Sequence, residues 1–142
     1  MTPPARAPRQ RKHDALDRLD RDTDAWVATA GPANGAPHLV PLSFLWDGIT
    51  LLIATPSASV TRRNLQATGR ARLGIGPTRD LVLIEGTVAA TQAATDISPE
   101  TGDAFAAKTG FDPRQLTGYL YSASAPSGSR PGAKPTNSPA GN

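Results

Sequence analysis

Residues 54–65 read ATPSASVTRRNL. Four hydroxyl side chains, Thr55, Ser57, Ser59 and Thr61, lead directly into the adjacent guanidinium groups of Arg62 and Arg63. These residue types at this spacing suit a phosphate. A helix that starts near Ser59 leaves its first backbone N–H groups unpaired and its dipole positive at that end. Hydroxyls add neutral donors, and an arginine in the first turn can fold back over the same anion in bidentate fashion. The same residues also make an ordinary capped helix, with Ser57 or Ser59 as N-cap and two exposed arginines. The stretch alone leaves both readings open.

Other groupings carry less chemistry. His38 and Ser43 fall on opposite faces of one strand by parity, and so do Asp80 and Glu85 on another, so neither pair converges. The aspartates Asp14, Asp17, Asp20, Asp22 and Asp24 lack the glycine and the spacing of a calcium loop and read as a solvated face. Cysteine is absent and there are only two histidines, His13 and His38. That excludes thiol chemistry, a disulfide framework and a histidine-rich or thiolate metal site. No catalytic triad and no Walker loop is present.

The elements that must position the hydroxyl–arginine stretch follow from periodicity. Residues 13–22 place Ala15, Leu16 and Leu19 on one face of a short amphipathic helix. Residues 25–30 alternate as a first strand, and Asn34-Gly35 turns the chain into a second strand over 38–46. On that strand Val40, Leu42, Phe44 and Trp46 share a face. Pro41 predicts a free edge or a bulge near its middle, because proline cannot donate to a ladder. Trp26 and Trp46 are expected in the core or at its rim. A third strand over 49–55 feeds the helix, which runs to Thr68 and stops at Gly69. Strands over 70–76 and 80–91 follow. The second of these is apolar on both faces at Leu81-Val82-Leu83-Ile84, which in so small a domain points to contact with another subunit. Ser98, Pro99, Glu100, Lys108 and Gly110 spell a capped helix over 98–110. A sixth strand starts at 118 and stops short at 121. Close-spaced strands with one helix between the third and fourth make a mainly β fold, a small antiparallel barrel or sandwich.

Charge and composition divide the chain. Residues 1–12 form a basic, flexible arm with Arg6, Arg9, Arg11 and Lys12. Residues 122–142 form a Ser/Ala/Pro/Gly-rich tail with Arg130 and Lys134, too poor in apolar surface to order itself. Those six charges exceed the net charge of +3, so the body over 13–121 carries −3. An acidic body argues against a nucleic-acid surface. No apolar run is long enough to span a membrane, which makes the cytoplasm the expected compartment.

Taken in order, residues 26–88 resemble the pyridoxamine 5′-phosphate oxidase-like family of split β-barrels. The pattern is G-x-P-x-x-x-P-x-x-F, then D-G, a strand ending in Thr, x-R-N-L, G-R-A-R-L and finally E-G-T-V. Residues 110–121, GFDPRQLTGYLY, are similar to a branch common in high-GC bacteria. The resemblance implies a six-stranded antiparallel split barrel with short flanking helices. It also implies a homodimer with FMN, or alternatively the deazaflavin F420, at the subunit interface, and hydride transfer to or from a small molecule. It places the isoalloxazine against the backbone of Val40, Pro41, Leu42 and Ser43. It places the ribityl-phosphate at Ala54, Thr55, Ser59, Thr61, Arg62 and Arg63. The remaining readings are a flavin-binding or decayed homologue without turnover, and a cofactor-free interaction module.

The chain departs from the family in three places. Pyridoxamine-phosphate oxidases carry an Arg and a Lys on the second strand, and this strand has neither. Thr61 stands where many relatives have Lys. After Tyr121 the tail replaces the basic and apolar continuation, with its tryptophan and helix, that this branch carries. Read one frame over with permissible GC-rich codons, the segment from Ser122 yields RVRPERIQAWREANELAGR. That continuation suits the family, and it points to a frameshift in the gene or its reading.

Overall fold

The computed structural model describes residues 8–126. Helix α1 (Pro8–Arg21) precedes strands β1 (Asp24–Ala30), β2 (Pro37–Trp46) and β3 (Leu51–Pro56). Helix α2 (Val60–Thr68), β4 (Arg70–Ile75), β5 (Val82–Ala93), α3 (Pro99–Thr109) and β6 (Tyr119–Pro126) complete the order. The strands close into an antiparallel barrel in the order β1-β2-β3-β6-β5-β4. The six-stranded, mainly β architecture expected from the sequence is therefore present.

Two boundaries differ from the sequence reading. Helix α1 starts at Pro8, so the last five residues of the expected flexible arm are helical. Proline suits a first helical turn, and Gln10 Nε2 donates to Asp14 Oδ1 one turn on, at 2.8 Å. Strand β6 does not stop at Tyr121 but continues through Ser122-Ala-Ser-Ala to Pro126. It lies between β3 and β5 and pairs with both, from Pro56↔Tyr119 to Leu51↔Ser124 and from Ala93↔Leu120 to Gly86↔Pro126. Ladder bonds use only the backbone, so two waiting edges order a segment whose side chains offer little burial. Residues 1–7 of the arm and 127–142 of the tail lie outside the described residues.

The barrel holds two cores. Inside it, Val27, Phe44, Leu51, Ile53, Leu73 and Ile75 pack with Ala15 and Leu19 of α1 and Leu65 of α2. Outside it, α3 lies along β2 and reaches β3 and β6 through side chains, with Phe105, Leu52, Ala54 and Tyr121 in one cluster. The rings of Phe105 and Tyr121 meet edge-on, 5.2 Å apart. Burial pushes the Tyr121 phenol pKa up, and its hydroxyl has no hydrogen-bond partner among the described residues. Ser98 caps α3 by accepting from Thr101 N–H, and Gly110 closes it at φ 73°. Lys108 ties the two cores to α1. Its Nζ donates to Leu19 O at 2.9 Å and stands 3.8 Å from the centroid of the Phe44 ring.

Two features of the barrel wall bear on function. Strand β2 pairs with β3 only at Phe44, Leu45 and Trp46, so from Pro37 to Ser43 its β3-side edge has no ladder. This is the free edge that Pro41 predicts, and it splits the barrel. On the outer wall, register aligns Pro41, Trp26, Gly74 and Leu83 across four strands. Trp26 is 53 % exposed and Leu83 43 %, with Leu39 exposed beside them. Trp26 thus stands on the outside, whereas Trp46 is buried. Strand β1 explains the difference by alternation: Ala25, Val27 and Thr29 point inward, which turns Trp26 outward.

Candidate functional site

The hydroxyl–arginine stretch lies where β3 leaves the barrel and α2 begins. Thr55 is buried, and its Oγ1 lies 2.9 Å from Ser59 Oγ. Ser59 is the N-cap of α2. Its backbone is extended (φ −76°, ψ 158°) and its Oγ accepts from Arg62 N–H at 3.1 Å. Its own N–H bonds Pro56 O, and its carbonyl accepts from Arg63 N–H. The cap and these turn bonds leave the N–H groups of Val60 and Thr61 at the positive end of the helix. Arg63 folds back over this end, donating from Nη1 to Ala58 O at 3.0 Å, with its other guanidinium donors facing solvent. Gly69, at φ 68°, ends the helix as the sequence predicts.

The remaining expected residues separate. Ala54, one step before Thr55, points to the opposite face of β3 and packs under α3. The Thr61 side chain is buried between α2 and the barrel, one residue before Arg62. On β2, Val40 and Leu42 are half-buried, Leu42 against the interior core. Pro41 is exposed on the outer wall, and Ser43 Oγ donates to Asp24 Oδ1 at 3.1 Å. The β2 quartet therefore lies across the split from the β3–α2 turn.

A pocket of about 580 Å³ opens beside that turn, at the mouth of the barrel. Thr55 and Arg62 line it, together with Leu65, Gln66 and Gly69 of the α2 segment. Its far wall is the end of β5, with Val88, Thr91, Gln92 and Ala93, and β6 supplies Leu120 and Ser122. Thr91 Oγ1 and Ser122 Oγ are 3.3 Å apart. Sequence reasoning missed this wall. Thr91 read as a strand end, Gln92 fell beyond it, and Ser122 read as the start of an unstructured tail. The period-two alternation in Ser122-Ala-Ser-Ala was the available signal, hidden by the absence of any large side chain.

Ser59→Ala is expected to lower stability by about 1–2 kcal/mol, because Arg62 N–H loses its acceptor and the buried Thr55 hydroxyl loses its neighbour. Urea denaturation measures this directly, and an unchanged midpoint would remove Ser59 from the role of cap.

Among the described residues no group of His, Asp or Glu side chains could hold a metal ion, and no helix is long and apolar enough to cross a membrane.

Comparison with known proteins agrees with this architecture. A family model described as pyridoxamine 5′-phosphate oxidase matches residues 12–117. A solved structure of an F420 reductase superposes with a TM-score of 0.62 at 17 % identity, covering 78 % of this chain and 91 % of that one. A putative pyridoxamine 5′-phosphate oxidase from Listeria innocua gives 0.62 at 14 % identity, over 82 % and 93 %. An FAD-binding protein from Mesorhizobium loti gives 0.64 at 12 %, over 81 % and 87 %. At these identities the likeness concerns the fold. No curated protein matches.

Proposed function

Because the chain belongs to the pyridoxamine 5′-phosphate oxidase family, we propose that it is an oxidoreductase dependent on FMN, or alternatively on F420, acting on a small molecule. The observation that carries this reading is the start of α2. There a capped helix end with two unspent N–H groups sits under the folded-back guanidinium of Arg63. This is an arrangement for a phosphate. Relatives of the same fold named as an F420 reductase and an FAD-binding protein support the cofactor class.

In this reading the ribityl-phosphate lies against Thr55, Ser59 and the N–H groups of Val60 and Thr61, with Arg63 and Arg62 supplying the positive charge. The ladder-free edge of β2, from Val40 to Ser43, offers backbone donors and acceptors to the edge of a ring system. The bound flavin or deazaflavin supplies the hydride chemistry, and the chain's residues position it and set its electrostatics. The exposed side chains of Pro41, Trp26 and Leu83 on the outer wall support a homodimer, because a monomer gains nothing from apolar groups there. A second copy packed there would shelter the β2 edge from water.

A flavin-binding protein without turnover is the second reading. Titration of the purified protein with FMN and with F420, followed by absorbance, tests the cofactor. One of them is expected to bind saturably, and a protein that ignores both would leave only an interaction module. Reduction of the bound cofactor and its reoxidation by an acceptor then separates an oxidoreductase from a carrier.

The frameshifted tail stands as a proposal as well. Resequencing the locus decides it, since an intact gene encoding the tail as it stands would sink the idea.

A further inference from the structure

We propose that the barrel mouth binds a small organic anion, a carboxylate carried on an apolar body, beside the proposed cofactor site and sharing Thr55 and Arg62 with it. The pocket's volume of about 580 Å³ lies within the range of about 300–1,000 Å³ usual for small-molecule sites. The inward side chains of β6 toward the mouth are Leu120 and, one step deeper, Ser122, 3 % exposed, where a larger residue would fill the space. The wall is mixed, with Leu65, Val88 and Leu120 apolar and Thr55, Thr91 and Ser122 bearing hydroxyls. Arg62 is its one cation and no acid lines it. Among the described residues the side chains of Arg62, Gln66 and Gln92 make no hydrogen bond or ion pair to the protein, so their donors are available to a ligand.

The second groove, about 380 Å³ over β1 and β4, differs in its charge: it is lined by Arg70 and by Arg72, which pairs with the acid Glu85 on the same wall. The walls of the barrel mouth distinguish it from the rest of the cofactor site. No β2 residue borders the barrel mouth, whereas the cofactor reading runs along β2. The two meet only at Thr55 and Arg62, and Arg62 faces the pocket while Arg63 covers the helix end.

Isothermal titration of the full chain with 4-phenylbutyrate, and with its neutral amide 4-phenylbutanamide, tests the site. One molecule of the acid is expected to bind, with the amide at least about tenfold weaker, as loss of one charge-assisted hydrogen bond requires. Arg62→Gln should weaken the acid about tenfold and erase its advantage over the amide. Ser122→Leu should fill the pocket and remove binding, and Arg79→Gln, in the exposed turn before β5, should change nothing. Arg62 lies on the half-exposed side of α2, so Arg62→Gln decides the matter even if Ser122→Leu fails to fold. The proposal is overturned if the acid does not bind, if acid and amide bind alike, or if Arg62→Gln titrates as wild type. A chain that binds the acid in this pattern while ignoring FMN supports the pocket and sinks the cofactor reading.

Discussion

Arg63→Ala is expected to weaken FMN or F420 binding by about 1.5–3 kcal/mol, roughly tenfold to a hundredfold. Adding Arg62→Ala should bring the loss to no more than about 4 kcal/mol. Arg63 is placed for this effect by the cap. Ser59 holds the first turn, Arg63 N–H bonds the Ser59 carbonyl, and the side chain reaches back to Ala58 O. The guanidinium then stands over the helix end with most of its donors unspent. A lysine at position 61, common in relatives, is replaced by a buried threonine, and β2 brings no cation. The arginines therefore supply all the side-chain charge near this helix end. Cofactor titration of the two single variants and the double variant measures the effect. Affinity unchanged in all three would move the phosphate elsewhere.

Phe105→Ala is expected to destabilise the fold by about 3–5 kcal/mol, the cost of emptying a fully buried aromatic site. Phe105 has no exposed surface and meets the Tyr121 ring at 5.2 Å. It is the largest apolar side chain through which α3 grips β3 and β6. Against a typical stability of about 5–15 kcal/mol, the loss removes much of the margin. The urea midpoint should fall with the slope unchanged, and Phe105→Leu should recover part of the loss. A drop below about 1 kcal/mol would show that α3 does not fasten this side of the barrel.

The sequence exposed those parts of the fold that large or special side chains announce. Ser98, Pro99 and Gly110 bounded α3 almost to the residue, and Ser59 and Gly69 bounded α2. Ala15, Leu16 and Leu19 fixed the buried face of α1. Pro41 revealed a strand edge without partners. What stayed hidden was set by neighbours distant in the chain. Strand β6 past Tyr121 is held by backbone bonds to β3 and β5, which residues such as Ser and Ala do not advertise. The orientation of Trp26 depended on register, since a tryptophan in a strand suits either face. The candidate site was half legible. The β3–α2 turn could be read from its hydroxyls and arginines, whereas the opposite wall of the pocket comes from strands 30 to 60 residues downstream.

The position of β6 between β3 and β5 has a consequence for biosynthesis. The described strand made last on the ribosome is the one that completes the ring. Until it emerges, β3 and β5 each present an unpaired edge, and the surface that α3 will share with β6 has no counterpart. Between the completion of β5 at Ala93 and the arrival of β6 at Tyr119, the nascent chain must therefore carry two unpaired strand edges, a state open to pairing with other chains. Errors late in the message should reveal themselves as aggregation rather than as a soluble protein with reduced activity.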